Sequence, residues 1–289
     1  MFSYRHGFHA GNHADVLKHI TLLSCIKLLH KKETPLMLVD THAGAGLYDL
    51  EDRFAQTSHE ANEGILQLAK NPSLLSANAD IHEYFQIILG LQSFGDIKIY
   101  PGSPYLLWQS MRVLDKLRLM ELHPSDFPVL KENIEQLKIK RQDIKLDMID
   151  GFGMLKAYLP PPSRRGLILI DPSYEDKGDY RAVLNAVEEA IKRFATGVYL
   201  IWYPVLTRLD AKEFPSRLKK LCQELNLSWL KAELRIKPLV EDGLSASGMW
   251  IINPPWQLKE SLESSLPLLQ TILQINASGS YSIESSSTT

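Results

Sequence analysis

Short apolar runs that end in acidic or glycine-containing turns alternate along the chain with segments whose apolar residues recur at helical spacing. This alternation predicts a mostly parallel sheet, because strands covered on both faces are apolar throughout. Seven runs fit: PLMLVD (35–40), LRLMELH (117–123), IKLDMID (144–150), GLILIDP (166–172), GVYLIWYP (197–204), LSWLKAELRI (227–236) and GMWIINPP (248–255). Helical patterns lie between them, as over 126–140, 180–194 and 211–225. The first four strands with their helices predict a doubly wound, Rossmann-like α/β sheet, whose ligands sit beyond the carboxyl ends of the strands.

Between residues 50 and 95 only helical patterns occur, around 60–70 and 80–91, which predicts a small helical insertion over 51–95. The main domain is then discontinuous, 1–50 and 96–275. Its N-terminal segment, 1–30, reads as an arm entering a helix with Val16, Leu17, Ile20, Leu23 and Leu28 on its apolar side. The serine- and threonine-rich tail, 276–289, reads as flexible.

At 289 residues, with 45% hydrophobic and 23% charged, the chain has ample material for a core. No apolar run is long enough to span a bilayer and the N-terminus is too polar for a signal peptide, so a cytoplasmic location is expected. Cys25 and Cys222 stand far apart without a CxxC pattern and suggest neither a disulfide framework nor a zinc site. A formal net charge of −2 excludes a global basic field, so any nucleic-acid contact has to come from local patches.

The run VDTHAGAG (39–46) puts a glycine-rich turn directly after a strand, where backbone amides can approach a ligand closely. It is neither GxGxxG nor a phosphate-binding loop, and alone a plain tight turn explains it equally well. Glu121 ends the next core strand, where a carboxylate can accept hydrogen bonds from two ribose hydroxyls. Asp150-Gly151 ends a third, with a carboxylate that could accept from an adenine amine. Each acid also reads singly as a strand end or helix cap, but three at strand carboxyl ends favour a ligand site.

The run LILIDPSY (167–174) is the most informative. An exocyclic adenine amine is a poor nucleophile because its lone pair is delocalised into the ring, and acceptors aimed at its hydrogens help the nitrogen become tetrahedral. Asp171 supplies one acceptor and the Pro172 carbonyl another, while Tyr174 offers a face on which an extruded base can stack. The alternative is a tight turn after a strand with a buried tyrosine.

With these stretches the chain resembles the RlmJ family, bacterial adenine-N6 methyltransferases of 23S rRNA, also described as needed for catabolism of external DNA. The resemblance runs from the N-terminus to about Pro255. It rests on SYRHGFHAGNHADVLKH, VDTHAGAG, YPGSP, ELHPSD, the DG pair, RRGLILIDP, KRFATG, WYP and SGMWIINPPW. It implies a class I fold, S-adenosylmethionine as cofactor, and one adenine of naked or partly assembled 23S rRNA as substrate. No metal, membrane or obligate protein partner is implied. Position by position, it implies that Asp171 is the catalytic acceptor, close to the methyl group, with Pro172 and Tyr174 beside it. His19, His42, Ser103, Glu121, Asp150 and Gly151 would hold the cofactor, and Tyr4 would contact RNA and help to close the site. Where the family has DPPY this chain has DPSY, which keeps acid, carbonyl and tyrosine but removes one ring that stiffens the turn.

His9 and His13, four apart with Asp15 nearby, suggest a metal site only weakly, because Gly11 and Asn12 interrupt a helical reading and no HExxH is present. Tyr4, Arg5, His6 and Lys18 suit phosphate and base contacts better. Basic clusters at Arg112, Lys116 and Arg118, and at Lys138, Lys140, Arg141 and Lys145, read as solvated surface. Arg164-Arg165 precedes the catalytic strand at its opposite end and suits a structural role. Three rivals remain: methylation of DNA, a nucleic-acid-binding protein with a decayed site, and a metal-dependent nuclease using the N-terminal histidines.

Overall fold

The computed structural model describes residues 5–93, 95–137, 143–239 and 243–286. The chain opens with α1 (His13–Leu29), β1 (Met37–Asp40) and β2 (Leu47–Asp49). Four helices follow, α2 (Arg53–Ser58), α3 (Ile65–Ala69), α4 (Pro72–Leu75) and α5 (Ala79–Leu89). Then come β3 (Ile99–Pro101), α6 (Ser103–Ser110), β4 (Lys116–Met120), α7 (Asp126–Leu137), β5 (Asp143–Asp147) and α8 (Gly151–Tyr158). The remainder is β6 (Gly166–Ile170), α9 (Gly178–Arg193), β7 (Val198–Pro204), α10 (Leu209–Glu224), β8 (Trp229–Arg235), β9 (Ala246–Ile252), α11 (Leu258–Leu273) and β10 (Ser280–Ser285).

All seven expected runs form strands, but the sheet has eight, in the order β10-β8-β9-β7-β6-β1-β4-β5. The block β5-β4-β1-β6-β7 is parallel, whereas β9 runs antiparallel to both β7 and β8. Strand order reverses on either side of β1, and this opens a crevice at the carboxyl ends of β1, β4 and β6.

Alternation along the strands divides the core between the two faces. Leu167 and Leu169 of β6 join one apolar cluster, with α1, α5, α6 and α11, while Ile168 and Ile170 join the other, with α9 and α10. Helix α1 is no one-sided arm. Every residue from His13 to Ile26 is buried, because sheet, α5, α6 and α11 surround it.

The tail is a correction to the sequence reading. Residues 280–285, expected to be flexible, form β10 and pair antiparallel with β8 from Ser280↔Arg235 to Ser285↔Leu230. The segment satisfies the outer edge of β8, packs Ile283 against the core and pairs Glu284 with Lys231 at 2.5 Å. Its serine-rich composition carries no trace of this, because the backbone ladder asks little of side chains on an edge strand. The two-stranded ribbon β2-β3 was also unforeseen, since three residues are too few to show a period.

Candidate active site

The turn after β1 forms one wall of the crevice. Asp40 is fully buried, and its two carboxylate oxygens accept from the His42 amide at 3.1 Å and from Ser103 Oγ at 2.6 Å. Burial pushes its carboxyl up to about 7. The sequence reading passed over Asp40, although an acid closing a buried strand ahead of a glycine turn marks it. Gly44 has φ of +61°, and a Cβ there would lie 2.2 Å from Tyr48 Oη, so no other residue fits the turn.

Glu121, one residue beyond β4, ties two loops together. Its carboxylate accepts from the Gly44 amide and the His123 amide, each at 2.6 Å, and burial raises its pKa. Each oxygen keeps a lone pair for a ligand. Asp150 caps α8, accepting from the Phe152 and Gly153 amides at 3.0 and 3.2 Å. Its reading as a helix cap therefore holds, and it lines the crevice as well. A Cβ on Gly151 would fall 2.0 Å from the Thr41 carbonyl oxygen, so glycine is what lets α8 begin against the β1 turn.

Asp171 stands just past β6, and Lys18 of α1 reaches it across the fold. Lys18 Nζ donates to Asp171 Oδ2 at 2.5 Å and lies 2.8 Å from Asp15 Oδ1. Burial would lower the lysine's pKa, but the two carboxylates raise it. Burial would likewise raise Asp15, which His6 and Lys18 instead hold well below the ordinary carboxylate range; His6 Nε2 lies 3.0 Å from Asp15 Oδ2. Asp171 Oδ1 has no partner among the described residues. His19 is fully buried, its Nδ1 2.9 Å from Tyr100 Oη and its Nε2 without a hydrogen bond. Burial lowers its imidazole to about 3 and that of His42 to about 4, which keeps both neutral.

The crevice measures about 890 Å³ and is lined by His19, His42, Ser103, Glu121, Asp150, Gly151, Asp171 and Pro172. It thus gathers eight expected site residues from six segments. It also includes Lys18 and His6, expected at phosphates and bases, and Tyr48 and Phe152, which carry no signal in the sequence. Phe152 stacks edge-on against His42 with ring centroids 4.7 Å apart.

The remaining expectations divide. Tyr174 is 3% exposed and packs with Tyr180, Trp202 and Phe214 in the core, with φ of +54° and its hydroxyl donating to the Trp202 carbonyl at 2.7 Å. It anchors the turn that presents Asp171 and offers no face for a base. The phosphate role imagined for Lys18 is likewise closed off, because its ammonium is buried between Asp15 and Asp171. Tyr4 lies outside the described residues, as do Lys138, Lys140 and Arg141. His9 pairs with Glu60 at 2.9 Å and His13 is buried; no group of three His, Cys, Asp or Glu side chains suited to a metal ion occurs among the described residues. Arg165 donates to the Leu29, Lys32 and Thr34 carbonyls, which makes it structural. NPPW (253–256) resembles DPSY (171–174) in letters only: β9 is antiparallel, so its end lies at the opposite edge of the sheet.

Residues 33–286 match the family described as Ribosomal RNA large subunit methyltransferase D, RlmJ. The chain is 42% identical over 278 residues to ribosomal RNA large subunit methyltransferase J of Escherichia coli K12, with 94% of each chain covered. To the protein of the same name from Haemophilus influenzae it is 42% identical over 287 residues, 98% of each. Protein LPL1258 from Legionella pneumophila, known as a crystal structure, superposes with a TM-score of 0.86 at 37% identity, covering 96% of this chain and 99% of that one. Sheet order, crevice and sequence agree: the fold is that of a class I methyltransferase, and the chain belongs to the RlmJ family of ribosomal RNA large subunit methyltransferases.

Proposed function

We propose that the protein transfers a methyl group from S-adenosylmethionine to the N6 amine of an adenine in 23S rRNA, naked or partly assembled. The observation that carries this is Asp171, held by a buried lysine through one oxygen with the other open at the crevice. The relatives' names supply the rRNA of the large subunit.

The crevice fits S-adenosylmethionine on its own chemistry. His19 Nε2 is an unsatisfied buried polar atom on the wall, a group that asks for a partner. Glu121 has lone pairs for ribose hydroxyls, and Gly44 and Gly151 let the β1 turn pack closely against Tyr48 and the start of α8 at the crevice wall. Negative groups at Glu121, Asp150 and Asp171 suit a ligand that carries a cationic sulfur. When bound, that ligand supplies a methyl group on a good leaving sulfur.

The chain's own residues supply position and polarity. Lys18 fixes the carboxylate of Asp171, so its rotamer is set before substrate arrives. Asp171 Oδ1 and the Pro172 carbonyl accept the two amine hydrogens, which draws the nitrogen lone pair out of the ring. The amine becomes acidic only once it is alkylated, so Asp171 need not be a strong base. Positioning carries most of the rate.

Incubating the purified protein with methyl-labelled S-adenosylmethionine and deproteinised 23S rRNA, then digesting to nucleosides, tests the proposal. Label in N6-methyladenosine is expected. Label only in a parallel DNA sample, or in another nucleoside, would overturn it.

A further inference from the structure

Helix α10 begins with a residue that does nothing for the core. Its buried positions are Ala211, Phe214, Leu218 and Cys222, a stripe that excludes Leu209, which is 69% exposed. Yet the chain just before it is pinned. Arg208 donates through Nη2 to the Tyr174 carbonyl at 3.0 Å, stands 5.5 Å over the Tyr180 ring, and pairs through Nε with Asp210 at 3.1 Å. Tyr174 closes the turn that begins at Asp171, so Leu209 rides on a support hitched to the catalytic turn.

The surroundings suit a polyanion threaded past this point. Lys177 lines the crevice, Arg181 lies in the first turn of α9 and Lys212 in that of α10; none of the three makes an ion pair among the described residues. Asp176 and Asp179 line the crevice beside Lys177, and Asp210 shares the first turn of α10 with Lys212, so contacts would be made phosphate by phosphate rather than by a broad field.

An adenine stacked in RNA cannot bring its amine to Asp171 inside a crevice. Extruding it sacrifices stacking and pairing and leaves a gap in the stack, which an inserted apolar side chain offsets. We infer that Leu209 is the wedge that enters the RNA base stack when the target adenine is turned into the crevice, with Lys177, Arg181 and Lys212 holding the flanking phosphates. The inference rests on the reading of the site as an RNA adenine methyltransferase.

The test uses the full chain and a hairpin containing the adenine that the wild type methylates, prepared also with 2-aminopurine at that position as a fluorescent reporter of unstacking. Leu209→Ala is expected to lower kcat/KM on the hairpin about tenfold and to blunt the rise in 2-aminopurine emission, with S-adenosylmethionine affinity unchanged. Leu209→Met, which restores a long apolar side chain, is expected to recover both. Wild-type emission and turnover in Leu209→Ala would overturn the wedge, as would an equal loss in Leu209→Met. A wild type that methylates no RNA adenine would instead overturn the reading on which the wedge depends.

Discussion

Lys18 Nζ lies 2.5 Å from Asp171 Oδ2 across 153 positions of sequence, joining the first helix to the turn after β6. Both groups are largely withdrawn from water, with side-chain exposures of 5% and 12%. Removing one partner of a buried pair leaves the other uncompensated, which costs about 3–5 kcal/mol. Lys18→Met should therefore lower the unfolding free energy at neutral pH by about that amount and depress turnover as Asp171 loses its fixed rotamer. Urea denaturation followed by a single-turnover assay checks both effects.

Glu121→Gln should weaken S-adenosylmethionine binding. The amide has one acceptor oxygen where the carboxylate uses two, on the Gly44 and His123 amides, while also lining the crevice. Hydrogen bonds to a charged acceptor contribute about 1.5–3 kcal/mol each, so Kd should rise about tenfold or more. Isothermal calorimetry that returned the wild-type Kd would remove the ribose role.

His13 and His19 are held neutral by burial, at about 4 and about 3. Their folded pKa values lie below the unfolded value of about 6.5, so the stability they contribute is present above that pH and is lost as pH falls through it. Each takes up a proton only on unfolding, which steepens the fall by about 1.4 kcal/mol per pH unit. His19→Gln should lose stability less steeply than wild type between about pH 6 and pH 4, with the two profiles parallel above about pH 7. Denaturant midpoints across that range provide the comparison.

The strands were legible because buried parallel strands are apolar end to end, and the acids at their ends mark the crevice they share. Glu121, Asp150 and Asp171 came together for that reason. What escaped was set by tertiary context. Tyr174 carries the letter of a stacking residue, yet its positive φ turns the ring into the core. Lys18 reads as a surface cation until α1 is seen to be enclosed on every side. Pairing that depends on the backbone alone, as in β10, leaves little in the side chains to read.

Ser173→Pro should keep or raise activity. The Ser173 amide donates no hydrogen bond among the described residues, and its hydroxyl is only 3.4 Å from the Glu175 amide, a weak contact. Proline removes a donor that is unused and favours an extended Pro172 before it. A large loss of rate in a folded Ser173→Pro protein would mean that the turn differs in shape from DPPY, and the role of the Pro172 carbonyl would fall with it.

The central claim is that Asp171 draws out the adenine amine. Its direct test is a single-turnover measurement on 23S rRNA with wild type and Asp171→Ala at saturating S-adenosylmethionine, with N6-methyladenosine quantified by mass spectrometry. Asp171→Ala gives up one partner of the buried Lys18 and should lose stability, but Lys18 keeps Asp15 at 2.8 Å, so the variant should still fold and bind RNA while its methyl transfer falls by a factor of about a thousand or more, the scale of losing a preorganised polar group at a reacting atom. Near-normal formation of N6-methyladenosine by a folded Asp171→Ala protein would contradict the account.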